Sequence, residues 1–91
     1  MTIINYLSDI LAKKINISPS ATRGLIKLSI KDQLGPYFDF NQVTYLDLKY
    51  SIENALKERL VRLKFDNIED LIALLLLELK ENQSLITMDK F

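Results

Sequence analysis

The sequence predicts an all-α fold, a compact four-helix domain, and three observations support this. Apolar residues recur every three or four positions through most of the 91-residue chain, which is the periodicity of amphipathic helices. The pairs Ser18-Pro19 and Gly35-Pro36 mark a helix start and a helix stop. The composition, 48% hydrophobic and 26% charged, is typical of globular proteins, and a chain of this length has room for one core. We therefore expect one domain over residues 1–91.

The first half of the chain predicts two helices. Apolar residues at helical spacing run from about Ile3 to Asn16, which indicates a short amphipathic helix. The second helix begins where Ser18 can cap it and Pro19 takes the first helical position. It ends at Gly35-Pro36. Its apolar residues cover more than one narrow stripe, so we expect it to contact two neighbouring elements.

An aromatic connection and the longest helix follow. Tyr37, Phe38 and Phe40 fall between the helices, and we expect this connection to pack back onto them. The longest helix is predicted from about Gln42 to Leu63. Its predicted core face consists of Tyr45, Leu48, Ile52, Ala55, Leu56 and Leu63.

The last quarter of the chain predicts a fourth helix. Asp66-Asn67 offers a cap, and acidic residues in the first turn suit the helix dipole. The run 71–77 is apolar on all sides, so we expect neighbouring elements to surround it. It is far shorter than the roughly 20 residues that span a bilayer. Residues 84–91 leave two alternatives open, a last helical turn or an extended segment.

The side chains present exclude most catalytic chemistry. The chain has no His and no Cys, so it lacks the common general base, the cysteine nucleophile and the usual transition-metal ligands. The nearest carboxylate cluster is Asp66, Glu69 and Asp70, and capping explains it better than acid–base chemistry. We predict that the protein is not an enzyme, needs no cofactor and takes no small-molecule substrate. The N-terminus shows no secretory signal, so a cytoplasmic location is expected.

One stretch resembles the helix-turn-helix pattern of DNA-binding proteins. Residues 11–26 contain the end of one helix, a short turn and a Ser-capped second helix, with five basic residues and two acidic ones up to Leu34. The resemblance implies that the second helix reads DNA. By that likeness, the residues facing the groove or touching phosphate are Lys13, Lys14, Ser20, Thr22, Arg23, Lys27 and Lys31.

Other observations favour a plainer interpretation of the same stretch. Arg23, Lys27 and Lys31 are spaced four apart, and such a basic stripe is also the ordinary solvated face of a helix. Gly24 lies inside the proposed reading helix, where glycine is unfavourable by up to about 1 kcal/mol. A close approach between two helices would explain that glycine better. Attachment to a membrane surface is not expected, because amphipathic anchors usually carry more charge.

The second functional signal is an excess of apolar residues. Leu46, Tyr50, Leu60 and Val61 fall outside the predicted core face of the longest helix, and four helices of this size have difficulty enclosing them all. Exposed apolar surface beyond a few hundred Å² usually marks an interaction site. We predict that these four residues contact a protein partner, with the basic stripe as a polar rim. The basic second helix and the acidic fourth helix are expected to meet either across such an interface or within one bundle.

The sequence thus predicts a non-enzymatic protein–protein interaction module, a small adaptor or assembly subunit that self-associates. Dimerisation or a partner would complete the fold. The alternative is a small helix-turn-helix-like regulator that binds DNA.

Overall fold

In the computed structural model, which describes residues 2–88, the chain forms helices joined by short turns, and these residues contain no β-strand. The all-α prediction is confirmed. Helix α1 spans Thr2–Ile15 and helix α2 spans Pro19–Leu34. A 3₁₀ turn at Phe40–Gln42 follows. The next helix is continuous over 45–62, and we call it the long helix. Its three parts are α3 (Tyr45–Tyr50), a π-helical segment (Ser51–Leu56) and α4 (Lys57–Arg62). Helices α5 (Ile68–Glu81) and α6 (Ser84–Met88) complete the described chain.

The boundaries of α2 follow the sequence signals. The hydroxyl of Ser18 accepts a hydrogen bond from Ala21 N at 3.1 Å, and Pro19 occupies the first helical position. At the other end, Gly35 adopts a φ of 109°, a conformation that L side chains rarely take. The backbone N–H of Gly35 still donates to Lys31 O at 2.8 Å, which satisfies one of the last carbonyls of the helix.

The long helix begins three residues later than predicted. The chain first makes the 3₁₀ turn, and Thr44 then caps α3 with a reciprocal pair of hydrogen bonds. The Thr44 hydroxyl accepts from Asp47 N at 3.2 Å, and the Asp47 carboxylate accepts from Thr44 N at 3.0 Å. This capping box fixes the start of the helix at Tyr45.

The π-helical segment changes which side chains the long helix buries. In an uninterrupted α-helix, positions four apart drift by about 40° per step, so Leu60 would lie far around the helix from Leu48. A π turn holds about one extra residue and cancels most of that drift. As a result, four residues at a spacing of four stay in the core, each at most 1% exposed: Leu48, Ile52, Leu56 and Leu60.

This change of phase makes one sequence prediction wrong, and the end of the helix at Arg62 makes another wrong. Leu60, predicted as an exposed contact, is fully buried. Leu63, predicted on the core face, is 57% exposed and follows the end of α4. The sequence argument assumed an unbroken period of 3.6 residues, whereas the helix widens after Tyr50.

Helix α5 differs from its prediction at its start and along its outer side. Asn67 precedes it with a φ of 58° and makes no side-chain capping hydrogen bond, so the predicted cap is absent; Glu69 and Asp70 do lie in the first turn. The prediction that this helix is surrounded is also wrong. It buries one side through Leu71, Ile72, Leu75 and Leu79, and exposes Ala73 and Leu77.

The aromatic connection packs against the core only in part, whereas the described part of the C-terminal segment forms a helix. Phe38 and Phe40 pack against the core as predicted, but Tyr37 is 98% exposed. Residues 84–88 form α6, whose Ile86 is buried and whose Leu85 packs against the core. Residues 89–91, for which the sequence left the same two alternatives open, lie outside the described residues.

The four main helices form a closed ring around the core. Helix α1 packs on α2, α2 on the long helix, the long helix on α5, and α5 on α1. Helix α2 and helix α5 therefore occupy opposite corners of the bundle. Helix α6 packs on α1.

Small polar residues lie buried where these helices meet: Ser8, Thr22, Ser29 and Ser51. Each of their hydroxyls donates to a backbone carbonyl, so none is buried without a partner.

Candidate interaction surfaces

The outer side of the long helix carries three of the four predicted apolar contacts. Leu46 and Tyr50 are one turn apart on α3 and are 52% and 47% exposed. Val61, on α4, is 54% exposed. Leu60 does not belong to this surface because it lies in the core. We call Leu46, Tyr50 and Val61 the long-helix face.

Charged side chains border the long-helix face. Lys49 and Glu53 approach to 4.0 Å one turn apart, and both are partly exposed. Lys57 Nζ lies 2.6 Å from Glu69 Oε1, which joins the long helix to α5. Exposed apolar side chains with a charged border are the usual anatomy of a protein interface.

The basic stripe on α2 is partly occupied within the fold. Arg23 donates from Nη2 to the hydroxyl of Ser20 at 3.0 Å. The ammonium groups of Lys27 and Lys31 lie 5.9 and 5.7 Å from the centre of the Phe40 ring, within the range of a cation–π interaction. Among the described residues, none of these three cations forms an ion pair with a carboxylate.

Thr22 does not belong to that stripe, and its predicted role at a DNA groove is wrong. Its side chain is fully buried. Its Oγ1 lies 2.8 Å from Ser8 O on α1 and 2.9 Å from Pro19 O. The hydroxyl therefore fastens α2 to α1. The helix-turn-helix pattern assigned Thr22 to the DNA-facing side, so its position between two helices was not predicted.

Gly24 is explained by nothing inside the fold. A Cβ built at this position would meet no atom within 4 Å. Within this chain, no close approach between two helices explains Gly24. At Gly24, the outer side of α2 therefore has no side chain covering the backbone.

The remaining two basic residues lie at the end of α1. Lys13 and Lys14 are both exposed. Lys14 lines an open cleft of about 310 Å³ together with Asp66 and Asp70. Lys13 lines a second cleft with Asp9. Each cleft thus contains both signs of charge.

The acidic start of α5 shows no metal site. Within residues 2–88, no group of three or more carboxylates is arranged to hold a metal ion. Glu69 is paired with Lys57, while Asp66 and Asp70 lie in the Lys14 cleft.

A polar cluster ties α1 to the end of α5. The Tyr6 hydroxyl donates to Glu78 Oε2 at 2.6 Å, and Asn82 Nδ2 donates to the same carboxylate and to Tyr6 Oη, each at 3.3 Å. The hydrogen bond to Glu78 raises the pKa of Tyr6, and burial adds to this. The sequence did not predict this cluster because Tyr6 is more than 70 positions from Glu78 and Asn82.

Several exposed apolar residues were also missed. Leu28 is 49% exposed and Leu77 is 51% exposed, on the outer sides of α2 and α5. Leu28 is one of the apolar residues through which the second helix was expected to contact two neighbouring elements. The polar residues around Leu28, from Lys27 to Asp32, were the signal that could have placed it outside.

Two findings bear on the class of protein. No helix among residues 2–88 is both long enough and apolar enough to cross a membrane. Comparison with models of protein families, with curated protein sequences and with solved structures finds no match to this chain.

Proposed function

We propose that this chain is a non-enzymatic protein-interaction module of the cytoplasm, acting as a small adaptor or as a subunit of an assembly. One observation carries the proposal: Leu46 and Tyr50 lie side by side on the outer side of α3, each about half exposed. Burial of these two neighbouring side chains against a partner stabilises the complex, because apolar burial contributes roughly 25 cal/mol per Å². Val61, on α4, is 54% exposed.

The partner binds the long-helix face, and the charges around it orient the complex. Tyrosine is a frequent anchor at the centre of protein interfaces. Lys49 and Glu53 at the border supply both signs of charge. Arg23, Lys27 and Lys31 provide a separate polar surface on α2 for an acidic part of a partner.

The test compares variants that change only exposed side chains. The tagged wild-type chain and the variants Leu46→Asp and Tyr50→Asp are used to capture proteins from cells that express the chain. Each captured protein is then purified and its Kd is measured by titration calorimetry. The variant Leu63→Asp is the matched control, because Leu63 is equally exposed and lies outside the long-helix face.

We expect wild type and Leu63→Asp to bind the same partner, and both substitutions on α3 to weaken binding at least about 30-fold, or about 2 kcal/mol. All variants should keep the helical circular dichroism of the wild type. A partner that binds the wild type and the α3 variants equally would overturn the proposed surface.

A second candidate function is DNA binding through α2. The supporting observation is that Arg23, Lys27 and Lys31 have no carboxylate partner among the described residues. The test is fluorescence anisotropy of duplex DNA at two salt concentrations, since binding to phosphates weakens steeply with salt. Salt-sensitive binding that is lost in the double variant Arg23→Ala, Lys27→Ala would favour this function. An unchanged anisotropy at low salt would exclude it.

A further inference from the structure

The outer sides of α2 and α5 point away from each other. The ring of packing contacts runs from α1 to α2, to the long helix, to α5 and back to α1, which puts α2 and α5 at opposite corners. The predicted meeting of the basic and acidic helices inside one bundle is thus absent. Their charges stay available to different molecules.

The outer side of α2 presents a hollow followed by a projecting side chain. Gly24 leaves open space above the backbone, because a Cβ there would meet nothing within 4 Å. One turn later, Leu28 stands 49% exposed. Lys31 lies on the same side, three positions further, and forms no ion pair among residues 2–88.

The outer side of α5 repeats this pattern with the opposite charge. Ala73 is exposed and small, and Leu77 projects one turn later, 51% exposed. Asp70 lies three positions before Ala73 on the same side, and within the described chain it has no ion-pair partner. A small residue and a leucine four positions apart therefore occur on both helices.

An antiparallel arrangement of these two helices matches both shape and charge. With Leu77 over Gly24, the leucine of α2, Leu28, falls over Ala73. The same register brings Lys31 opposite Asp70. A parallel arrangement would set Leu28 against Leu77 and Lys31 against Lys80, which pairs two large side chains and two like charges.

The charges beside this register do not oppose it. Asp32 and Glu69 fall near each other, but each already has its own cation: Arg59 Nε lies 2.6 Å from Asp32 Oδ2, and Lys57 binds Glu69. Lys80 falls opposite Ala21, where α2 carries no charge.

We propose that α5 of one copy of this chain docks antiparallel on α2 of a second copy. This rests on the proposed function as a protein-binding module and names the partner for two of its surfaces. Because the two surfaces differ and lie at opposite corners, the contact is head-to-tail, and it produces open chains or rings of copies instead of a closed two-fold dimer.

The first test blocks one surface at a time. Leu28→Asp blocks α2, and Leu77→Asp blocks α5; both side chains are exposed, so the fold should tolerate the change. In sedimentation velocity, we expect the average mass of the wild type to rise with concentration beyond a dimer. Each variant alone should sediment as a monomer, and Leu63→Asp should behave as the wild type.

Mixing the two variants gives the decisive result. Leu28→Asp keeps an intact α5, and Leu77→Asp keeps an intact α2, so an equimolar mixture should form dimers and nothing larger. A mixture that stays monomeric, or single variants that associate like the wild type, would overturn the head-to-tail contact. A monomeric wild type at every concentration would also overturn it. The long-helix face would still be judged by Leu46→Asp, so the two proposals fail separately.

Gly24→Ala supplies a second test in which folding and docking change in opposite directions. Alanine favours the helix and meets nothing in the fold, so the melting temperature of the monomer should rise. Its methyl group fills the hollow that receives Leu77, so self-association should weaken at least about tenfold. Unchanged or tighter association in this variant would contradict the proposed register.

Discussion

The hydroxyl of Thr22 lies 2.8 Å from the backbone carbonyl of Ser8, and this contact joins the middle of α1 to the first turns of α2. Both side chains are fully buried. A residue that the helix-turn-helix likeness directs toward DNA is thus part of the packing between two helices. The likeness extends to the order of the helices but fails at Thr22, which α2 buries.

Replacing Thr22 by valine should destabilise the protein while preserving its shape. The substitution Thr22→Val keeps the branched side chain but removes the donor, so we expect a loss of about 1 kcal/mol in the free energy of unfolding. Urea unfolding followed by circular dichroism measures this. Thr87→Val is the control, because Thr87 is exposed. Equal stability of Thr22→Val and the wild type would show that the hydrogen bond contributes nothing.

Truncating Leu60 should destabilise the protein more than truncating Leu63. An uninterrupted α-helix predicts the reverse. Leu60→Ala empties a fully buried position and should reduce the free energy of unfolding by about 2–5 kcal/mol. Leu63→Ala removes an exposed side chain and should change it by less than about 0.5 kcal/mol. Urea unfolding of both variants measures the difference. A larger loss for Leu63→Ala would contradict the burial of Leu60 and the exposure of Leu63.

The ion pair between Arg59 and Asp32 should contribute stability that depends on pH. The hydrogen bond from Arg59 lowers the pKa of Asp32. A lowered pKa in the folded state means that the contribution is present above the ordinary Asp value of about 3.9 and is lost as the pH falls through the lower folded value. Both side chains are partly exposed, so the contribution is about 0.2–1 kcal/mol.

Asp32→Asn tests this ion pair. The variant should be less stable than the wild type at neutral pH, and the difference should shrink below about pH 4. Thermal unfolding across this range measures it, with Glu58→Gln as the control for a pair that is more exposed. A difference that stays constant with pH would rule out the ionised carboxylate as its cause.

Tyr6 should ionise at a higher pH than an ordinary tyrosine. Its hydrogen bond to Glu78 raises its pKa, so the stability it contributes is present below the ordinary value near 10 and is lost as the pH rises through the raised value. Ultraviolet difference spectroscopy of the wild type and Tyr6→Phe isolates its titration. In Glu78→Gln, the pKa of Tyr6 should move back toward the ordinary value; an unmoved titration would exclude Glu78 as the cause.

The sequence was sufficient where a local signal determines the structure. Ser18, Pro19 and Gly35 act on the backbone within one turn of themselves, and the structure places each as predicted. The all-α class follows from periodicity repeated over whole helices, so it survives errors at single positions. Leu46, Tyr50 and Val61, which fall outside the predicted core face, are exposed in the structure.

The sequence was insufficient where a residue's surroundings come from distant parts of the chain. The widened turn after Tyr50 has no signature in residue type, yet it brings Leu60 into the core. Which sides of α2 and α5 stay exposed depends on how four helices close into a ring. The exposure of Leu77, in a run that is apolar on all sides, could therefore not be predicted from its own helix alone.

The π-helical segment also determines how this chain should be aligned with any relative. A relative with one residue fewer between positions 51 and 56 would have an ordinary α-helix there and could keep the same core. Within such a pair, a one-residue gap inside the helix is the structurally conservative change. An alignment that forbids gaps in helices would instead match Leu60 to a solvent-facing position and would misassign every residue up to Arg62.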